Sequence, residues 1–226
     1  MPELDKSPSS VASMFSRIAH RYDALNHLLS FNADRRWRAG AARRVNGSHR
    51  RVLDLATGTG DLASALARDG RTVVGADFCL DMLAGARRKG AVALLSAADA
   101  LALPFPDAAF DAVTIAFGVR NFVDLRAGLA EIERVLRPGG LLVVLEFSQP
   151  SGPAGAAYKV YSDRVLPWIG GLLSGSPEAY RYLNRSARVW PDRATLSAVL
   201  REAGFADVAA AAMTFGIVAL HTARKP

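Results

Sequence analysis

The stretch RVLDLATGTGDLASAL, residues 51–66, runs from an apolar strand (Val52, Leu53, Leu55) through a glycine turn into a helical pattern. That order makes a ligand cradle. Glycine permits a tight turn and close backbone approach, and the first turn of the helix presents unpaired N–H groups. Gly58-x-Gly60-x-x-Ala63 satisfies the dinucleotide pattern with alanine in the last place. By itself the loop leaves a nucleotide-like ligand and a purely structural strand-to-helix turn both open.

Outward from this loop, strands and helices alternate. Strands are expected at 51–56, 72–77, 92–96, 110–117 and 141–147, and helices at 61–69, 80–88 and 125–136, the last stopped by Pro138-Gly139-Gly140. Short apolar strands separated by helices predict a parallel sheet covered on both faces. Upstream, Val11, Met14, Phe15, Ile18 and Tyr22 recur at spacings of three and four, so residues 10–45 read as helical. Downstream, 150–195 breaks the rhythm with glycines, prolines and aromatics. A helix at 194–203 follows, then strands at 205–212 and 215–222 joined by a short turn, which only an antiparallel hairpin allows. A mostly parallel, Rossmann-like seven-stranded sheet ending in such a hairpin, preceded by helices, is the α/β class I methyltransferase architecture. One domain is expected over 1–226, with 1–45 as a helical cap and 150–195 as a lid insertion over the substrate.

Composition sets bounds. The 226 residues are half hydrophobic, so disorder is expected only over roughly the first ten, MPELDKSPSS. A single cysteine, Cys79, excludes an intramolecular disulfide framework, no signal peptide is expected because Arg17, His20, Arg21 and Asp23 interrupt the first apolar stretch, and no uncharged apolar run of about 18 residues is present. A cytoplasmic protein is expected. The net charge of +7 concentrates at the amino terminus, where residues 1–51 hold ten Lys/Arg against four Asp/Glu. Arg35-Arg36-Trp37-Arg38 and Arg43-Arg44 read either as a solvated helix face or as contact with RNA or an anionic membrane.

Four features settle the ligand. Asp54 lies in the strand before the glycines, where a carboxylate repels a pyrophosphate but favours a sulfonium or amino group; its alternative is to cap the turn. Asp77 ends the second strand, where it can accept ribose hydroxyls. Asp99-Ala100 precedes the proline-bounded loop LPFPDAAFD (103–111), suited to adenine. After the seventh strand no second mononucleotide half of the usual size is expected. Together these favour S-adenosylmethionine over a dinucleotide.

The chain resembles the ubiquinone/menaquinone biosynthesis C-methyltransferase family over nearly its whole length. The resemblance rests on MFSRIAHRYDALNHLLSF (14–31), DRRWR (34–38), VLDLATGTGDLA (52–63), LPFPDAAFDAVTIAFGVRNFVD (103–124), RVLRPGGLLVVLEFSQP (134–150), SGSPEAYRYLNRS (174–186) and GIVALH (216–221). It implies that Thr59, Asp77, Asp99 and Ala100 line the cofactor, with Gly58 and Gly60 giving close approach to its methionine end. Ala116 would stand on the strand wall where some relatives place serine, leaving only backbone to make that contact. The implied reaction moves a methyl group from S-adenosylmethionine to the ring carbon of a demethylmenaquinol. A methoxy-polyprenyl-benzoquinol, or both rings, is the nearest alternative; an RNA methyltransferase or a non-catalytic assembly protein stands further off.

Methylating an aromatic carbon requires a neighbouring hydroxyl to lose its proton, so positioning and electrostatics carry the step. In GVRNFVD (118–124), Arg120 is expected to stabilise the phenolate or hold a relaying water, and Asn121 to orient the ring oxygen. The alternative for Arg120 is a structural pair with a carboxylate such as Asp124. Tyr22, Asp23 and His27 are the proton-acceptor candidates, of which Tyr22 and Asp23 match the family motif. No metal is expected, because His20 and His27 have no third ligand in sequence and His49 and His221 stand alone. Tyr158, Tyr161, Leu166, Trp168, Ile169, Leu172, Leu173, Tyr180 and Tyr182 could house a polyprenyl tail or simply cover the core. Peripheral contact with an anionic membrane is expected, and no nucleic-acid partner.

Overall fold

The computed structural model describes residues 7–20, 22–67, 70–150, 152–165 and 177–226. Its centre is a seven-stranded sheet of order β3-β2-β1-β4-β5-β7-β6. The strands are β1 (Arg51–Leu55), β2 (Thr72–Asp77), β3 (Leu94–Ala97), β4 (Phe110–Ala116), β5 (Leu136–Phe147), β6 (Ala206–Met213) and β7 (Val218–Arg224). Strands β1 to β5 pair in parallel, whereas β7 runs antiparallel to both β5 and β6. This is the predicted parallel sheet with a terminal hairpin. The central strands are near-continuous apolar runs because both faces are covered. Leu53, Val113, Leu142 and Val144 belong to the core on one face, and Val52, Ala112, Val143 and Leu145 to the core on the other.

Helices fill the crossovers: α4 (Asp61–Leu66), α5 (Leu80–Lys89), α6 (Leu125–Val135) and, before the hairpin, α9 (Arg193–Glu202). Helix α6 starts where Asp124 accepts a hydrogen bond from the Ala127 N–H at 3.0 Å, and Asp192 caps α9 through Thr195 at 2.8 Å. The long helical reading of 10–45 resolves into α1 (Pro8–Ile18), α2 (Tyr22–Leu29) and α3 (Ala33–Ala42). Between α2 and α3 the chain turns through Phe31 and Asn32, both at positive φ, which ends the helical run that periodicity alone would continue. Helix α1 already begins at Pro8, a residue preorganised for the first helical position, so the expected disorder does not extend to residue ten. Strand β5 begins five residues before the expected 141, because Leu136 pairs with Phe110 ahead of a register shift.

In the segment expected as a lid, α7 (Gly152–Val160) runs into a π-helical turn at Tyr161–Val165, and α8 (Pro177–Val189) follows. Leu166, Trp168, Ile169, Leu172 and Leu173 lie outside the described residues, as does the side chain of Tyr180. Among the described residues no helix is long and apolar enough to cross a membrane.

Candidate active site

Strand order reverses direction between β1 and β4, and the crevice outside their carboxyl ends is where an open α/β sheet binds ligands. Two loops shape it. Ala56 after β1 and Phe117 after β4 both hold positive φ, and a Cβ on Gly118 would stand 2.4 Å from the Ala56 Cβ. The loops are therefore pressed together, and glycine at 118 is what lets them meet.

Three cavities open here. The first is lined by Asp77, Asp99, Ala100, Ala116, Gly58 and Asn121, with Phe15, Phe78 and Met82 as apolar walls. A smaller polar one continues from it, between Asp54, Thr57, Thr59, Asp61 and Arg38. The third, about 540 Å³, is walled mainly by aromatic and aliphatic groups, among them Trp37, Phe117, Phe147, Tyr158, Tyr161 and Ile217. Tyr22 lines all three, and Phe117 lies between the first and the third. A ligand in the first two cavities thus meets a ligand in the third beside Tyr22.

Asp77 accepts from the Gly58 N–H at 2.8 Å and the Cys79 N–H at 2.9 Å, which fixes its carboxylate at the cavity wall. Burial raises its pKa, against these bonds. Asp54 accepts from the hydroxyls of Thr57 (2.6 Å) and Thr114 (2.7 Å), and burial pushes its pKa up to about 6 despite them. Asp99 accepts from the Leu101 N–H at 2.9 Å, turning the chain so that Ala100 faces the cavity. At Gly58, with φ +57°, an added Cβ would meet no protein atom within 4 Å, so the space over the loop is free for a ligand.

Gly60 behaves differently. It lines none of the three cavities, and its missing Cβ would stand 2.4 Å from the Ala91 Cβ. It serves packing behind the loop rather than approach to the ligand. Thr59 borders the polar cavity, but its hydroxyl donates to Asp23. Asp23 in turn is paired with Lys89 at 2.8 Å and lines none of these cavities. Adjacent helical residues point about 100° apart, so with Tyr22 turned inward Asp23 faces α4 and α5.

Arg120 lines the apolar cavity, and its expected alternative partner, Asp124, is not the one it uses. Its Nη1 donates to Glu146 Oε1 at 2.8 Å and to the Phe117 carbonyl at 2.6 Å, its Nε donates to Ser186, and its Cζ lies 5.2 Å over the Phe147 ring. Glu146 is fully buried, and burial raises its pKa against the pull of Arg120. Asn121 lies on the first cavity rather than the apolar one and accepts from the Tyr182 hydroxyl at 3.3 Å. Burial also raises the Tyr22 pKa, so at neutral pH its phenol is a donor, not a base.

His27 lines none of the three cavities; its Nδ1 lies 2.8 Å from Asp34 Oδ2. Against the expectation of no metal-like group, His27, Asp34 and Asp61 bring ligand atoms within 4.8 Å of one another. They come from α2, α3 and α4, which spacing in sequence does not reveal. The carboxylates already serve cations, Asp34 with Arg38 at 2.6 Å and Asp61 with Lys89 at 2.6 Å. Arg38, Glu146 and Trp37 also belong to the site, although in the sequence Arg38 and Trp37 stand out only within DRRWR and its basic run, and Glu146 only within an apolar strand.

Solved structures place the fold. A SAM-dependent methyltransferase from Thermotoga maritima, described as a possible histamine N-methyltransferase, matches with TM-score 0.71 at 19% identity over 95% of this chain and 99% of that one. The [4+2]-cyclase SpnF matches with TM-score 0.67 at 21% identity over 96% and 95%. One architecture thus carries different reactions. Sequence relatives are much nearer. Demethylmenaquinone methyltransferase of Thermus thermophilus is 54% identical over 221 residues, 94% of this chain and 100% of that protein. Its counterpart from Mycolicibacterium paratuberculosis is 49% identical over 228 residues, 99% and 97% of the two chains. The ubiE/COQ5 methyltransferase family matches residues 3–225. With fold, crevice and relatives in agreement, this chain belongs to the ubiE/COQ5 methyltransferase family.

Proposed function

We propose that this chain transfers a methyl group from S-adenosylmethionine to the ring carbon of a demethylmenaquinol. The observation that carries this is the junction at Tyr22, where a crevice edged by Asp54, Asp77 and Asp99 and suited to a cationic nucleoside meets a larger apolar cavity suited to a prenylated ring. The residues fit the cofactor: Asp77 and Asp99 stand at the nucleoside end, open space lies over Gly58, and Asp54 with Asp61 offers negative charge at the other end.

When bound, the cofactor supplies an electrophilic methyl on sulfur. As the quinol hydroxyl loses its proton, its charge spreads to the neighbouring ring carbon. The bound cofactor would supply its methyl to that carbon and be left as the neutral thioether, and the ring would then give up the proton from the methylated carbon. Arg120 supplies positive charge on the ring side, where a held guanidinium stabilises the developing phenolate without reorganising. Glu146 and Phe147 hold it there. The Tyr22 phenol separates the two ligands and donates a hydrogen bond. Asn121, fixed by Tyr182, positions the cofactor side of the junction. Residues 1–45 act as the cap and 150–195 as the lid, to which Tyr158, Tyr161, Leu183 and Ala187 contribute cavity wall.

The mouth of the apolar cavity supports a peripheral membrane position. Phe31 and Phe215 are 80% and 82% exposed at its rim, and Arg35 and Arg36 stand exposed one turn on from Phe31. Exposed aromatics beside cations suit an anionic lipid surface. Flotation with anionic vesicles is expected to carry the protein up; retention in the soluble fraction rejects this part of the reading.

The test of function is methyl transfer from labelled cofactor to reduced demethylmenaquinone and, separately, to a reduced methoxy-polyprenyl-benzoquinone, each in vesicles. Label in the first product is the expected result, and label in both means a shared enzyme. Label in neither, with the cofactor bound, overturns the quinol assignment.

A further inference from the structure

Arg38 sits on α3 where the polar and apolar cavities adjoin, and it lines both. We propose that Arg38 and Asp54 form a subsite for the amino-acid end of the cofactor, Arg38 receiving its carboxylate and Asp54 its ammonium. This rests on reading the first two cavities as the S-adenosylmethionine site.

Arg38 is only 9% exposed, yet its guanidinium is largely unspent. A guanidinium has five N–H donors. Among the described residues its hydrogen bonding is confined to Nη1, which donates to Asp34 Oδ2 at 2.6 Å, while its Cζ lies 5.4 Å over the Phe117 ring. One edge is thus anchored and the plane fixed, and the other donors open onto the cavities that it lines. A buried guanidinium whose donors, beyond the one given to Asp34, have no acceptor among the described residues can receive an anionic ligand group.

Asp54 is the complementary half. Thr57 and Thr114 occupy one acceptor site on each oxygen and the Ala63 backbone N–H also bonds the carboxylate, which has about four such sites in all, so acceptor capacity remains for a ligand. Among the described residues Arg38 is the one cationic side chain lining the polar cavity, set against Asp54 and against Asp61, which is itself paired with Lys89. A ligand that is only cationic would be repelled by Arg38, and one that is only anionic by the carboxylates. A zwitterion matches both. Asp34 is then the holder, keeping Arg38 from folding onto Asp54 and closing the subsite.

The test compares two sulfonium ligands by calorimetry on the cofactor-free protein: S-adenosylmethionine and its decarboxylated form, which keeps adenosine, sulfonium and ammonium. The parent is expected to prefer the carboxylated ligand by about 10- to 100-fold, the range of a charge-assisted hydrogen bond. Arg38→Gln is expected to lose that preference, binding the carboxylated ligand more weakly and the decarboxylated one at least as tightly as the parent does because a repelling charge is gone, and Arg38→Lys to restore part of it. Equal weakening of both ligands in Arg38→Gln would mean that the residue acts only through the fold, and retained preference would mean that the carboxylate lies elsewhere; either overturns the inference. Should Asp34 left without its partner prevent folding, Arg38→Gln/Asp34→Asn removes both charges and is read the same way. A parent that binds both ligands equally overturns the subsite alone, whereas a parent that binds neither overturns the cofactor reading beneath it.

Discussion

The two halves of the crevice are built by opposite means. The polar groups of the cofactor half are local: Asp54, Gly58, Asp77, Asp99 and Ala100 sit on strand ends and the turns that follow them, with Asp77 and Asp99 held by backbone N–H groups and Asp54 by the hydroxyls of Thr57 and Thr114. The quinol half is apolar and remote, with walls from α2, α3, the β4 and β5 ends, α7, α8 and the turn between β6 and β7. A fixed polar cradle can be specified by a short motif. A greasy cavity exists only once distant segments pack, so substitutions in the two halves should separate into cofactor effects and quinol effects.

The largest effect is expected at the junction. Arg120→Met removes the charge facing the quinol, and the loss of one preorganised stabilising donor costs roughly 10²–10³-fold in kcat. It also leaves Glu146 buried without its partner, so a drop in stability of about 3–5 kcal/mol accompanies it. Cofactor affinity of the folded fraction should stay near that of the parent. The double variant Arg120→Met/Glu146→Gln should recover stability and not activity. If activity returns as well, Arg120 matters for packing alone.

Next comes Asp77→Ala, expected to weaken cofactor binding by roughly 10- to 100-fold, the worth of hydrogen bonds to a charged acceptor. Calorimetry with the cofactor and a separate measure of quinol binding would show whether the loss stays in one half. Equal loss of both ligands would break the division.

This division also says what sequence could show. The sheet was legible because each crossover repeats the same apolar strand, turn and helix, and the cofactor residues ride on that repeat. The Asp23 pairing with Lys89 was not legible because neighbours in a motif are not neighbours on a helix face. Nor was the packing of Gly60 against Ala91, because a glycine required by a ligand and one required by a neighbouring side chain look alike in sequence. Glu146 hid in the apolar run of β5, and Arg38 in a basic run that looks like surface. Their partners, Arg120 and Asp34, become visible only in three dimensions.

A smaller, graded effect is expected from pH. Asp54 in the free protein titrates at about 6, and Tyr22, Arg38 and Asp61 face the same cavity. Pairing with a cationic ligand favours its ionised form and lowers that value, so below about pH 6 binding must expel a proton. Affinity should then fall with decreasing pH, by up to tenfold per unit, and stay flat above it. Burial acts on the empty protein with the opposite sign: the folded pKa lies above the ordinary 3.8, so between the two values stability drops as pH rises. Asp54→Asn should flatten the binding profile while leaving quinol affinity unchanged.

The smallest effect belongs to the quinol half. The Tyr161 hydroxyl donates to the Leu29 carbonyl at 2.7 Å, tying the turn after α7 to the end of α2, and its ring lies 6.1 Å from that of Phe31. Tyr161→Phe removes the tie and keeps the ring. A net hydrogen bond is worth about 1 kcal/mol, so the KM for the quinol should rise roughly fivefold with kcat little changed. Leu29 and Tyr161 line only the apolar cavity, and cofactor affinity should therefore hold. A fall in kcat at constant KM would instead place Tyr161 in the chemistry, and the wall between the two halves would lie further out than the geometry now sets it.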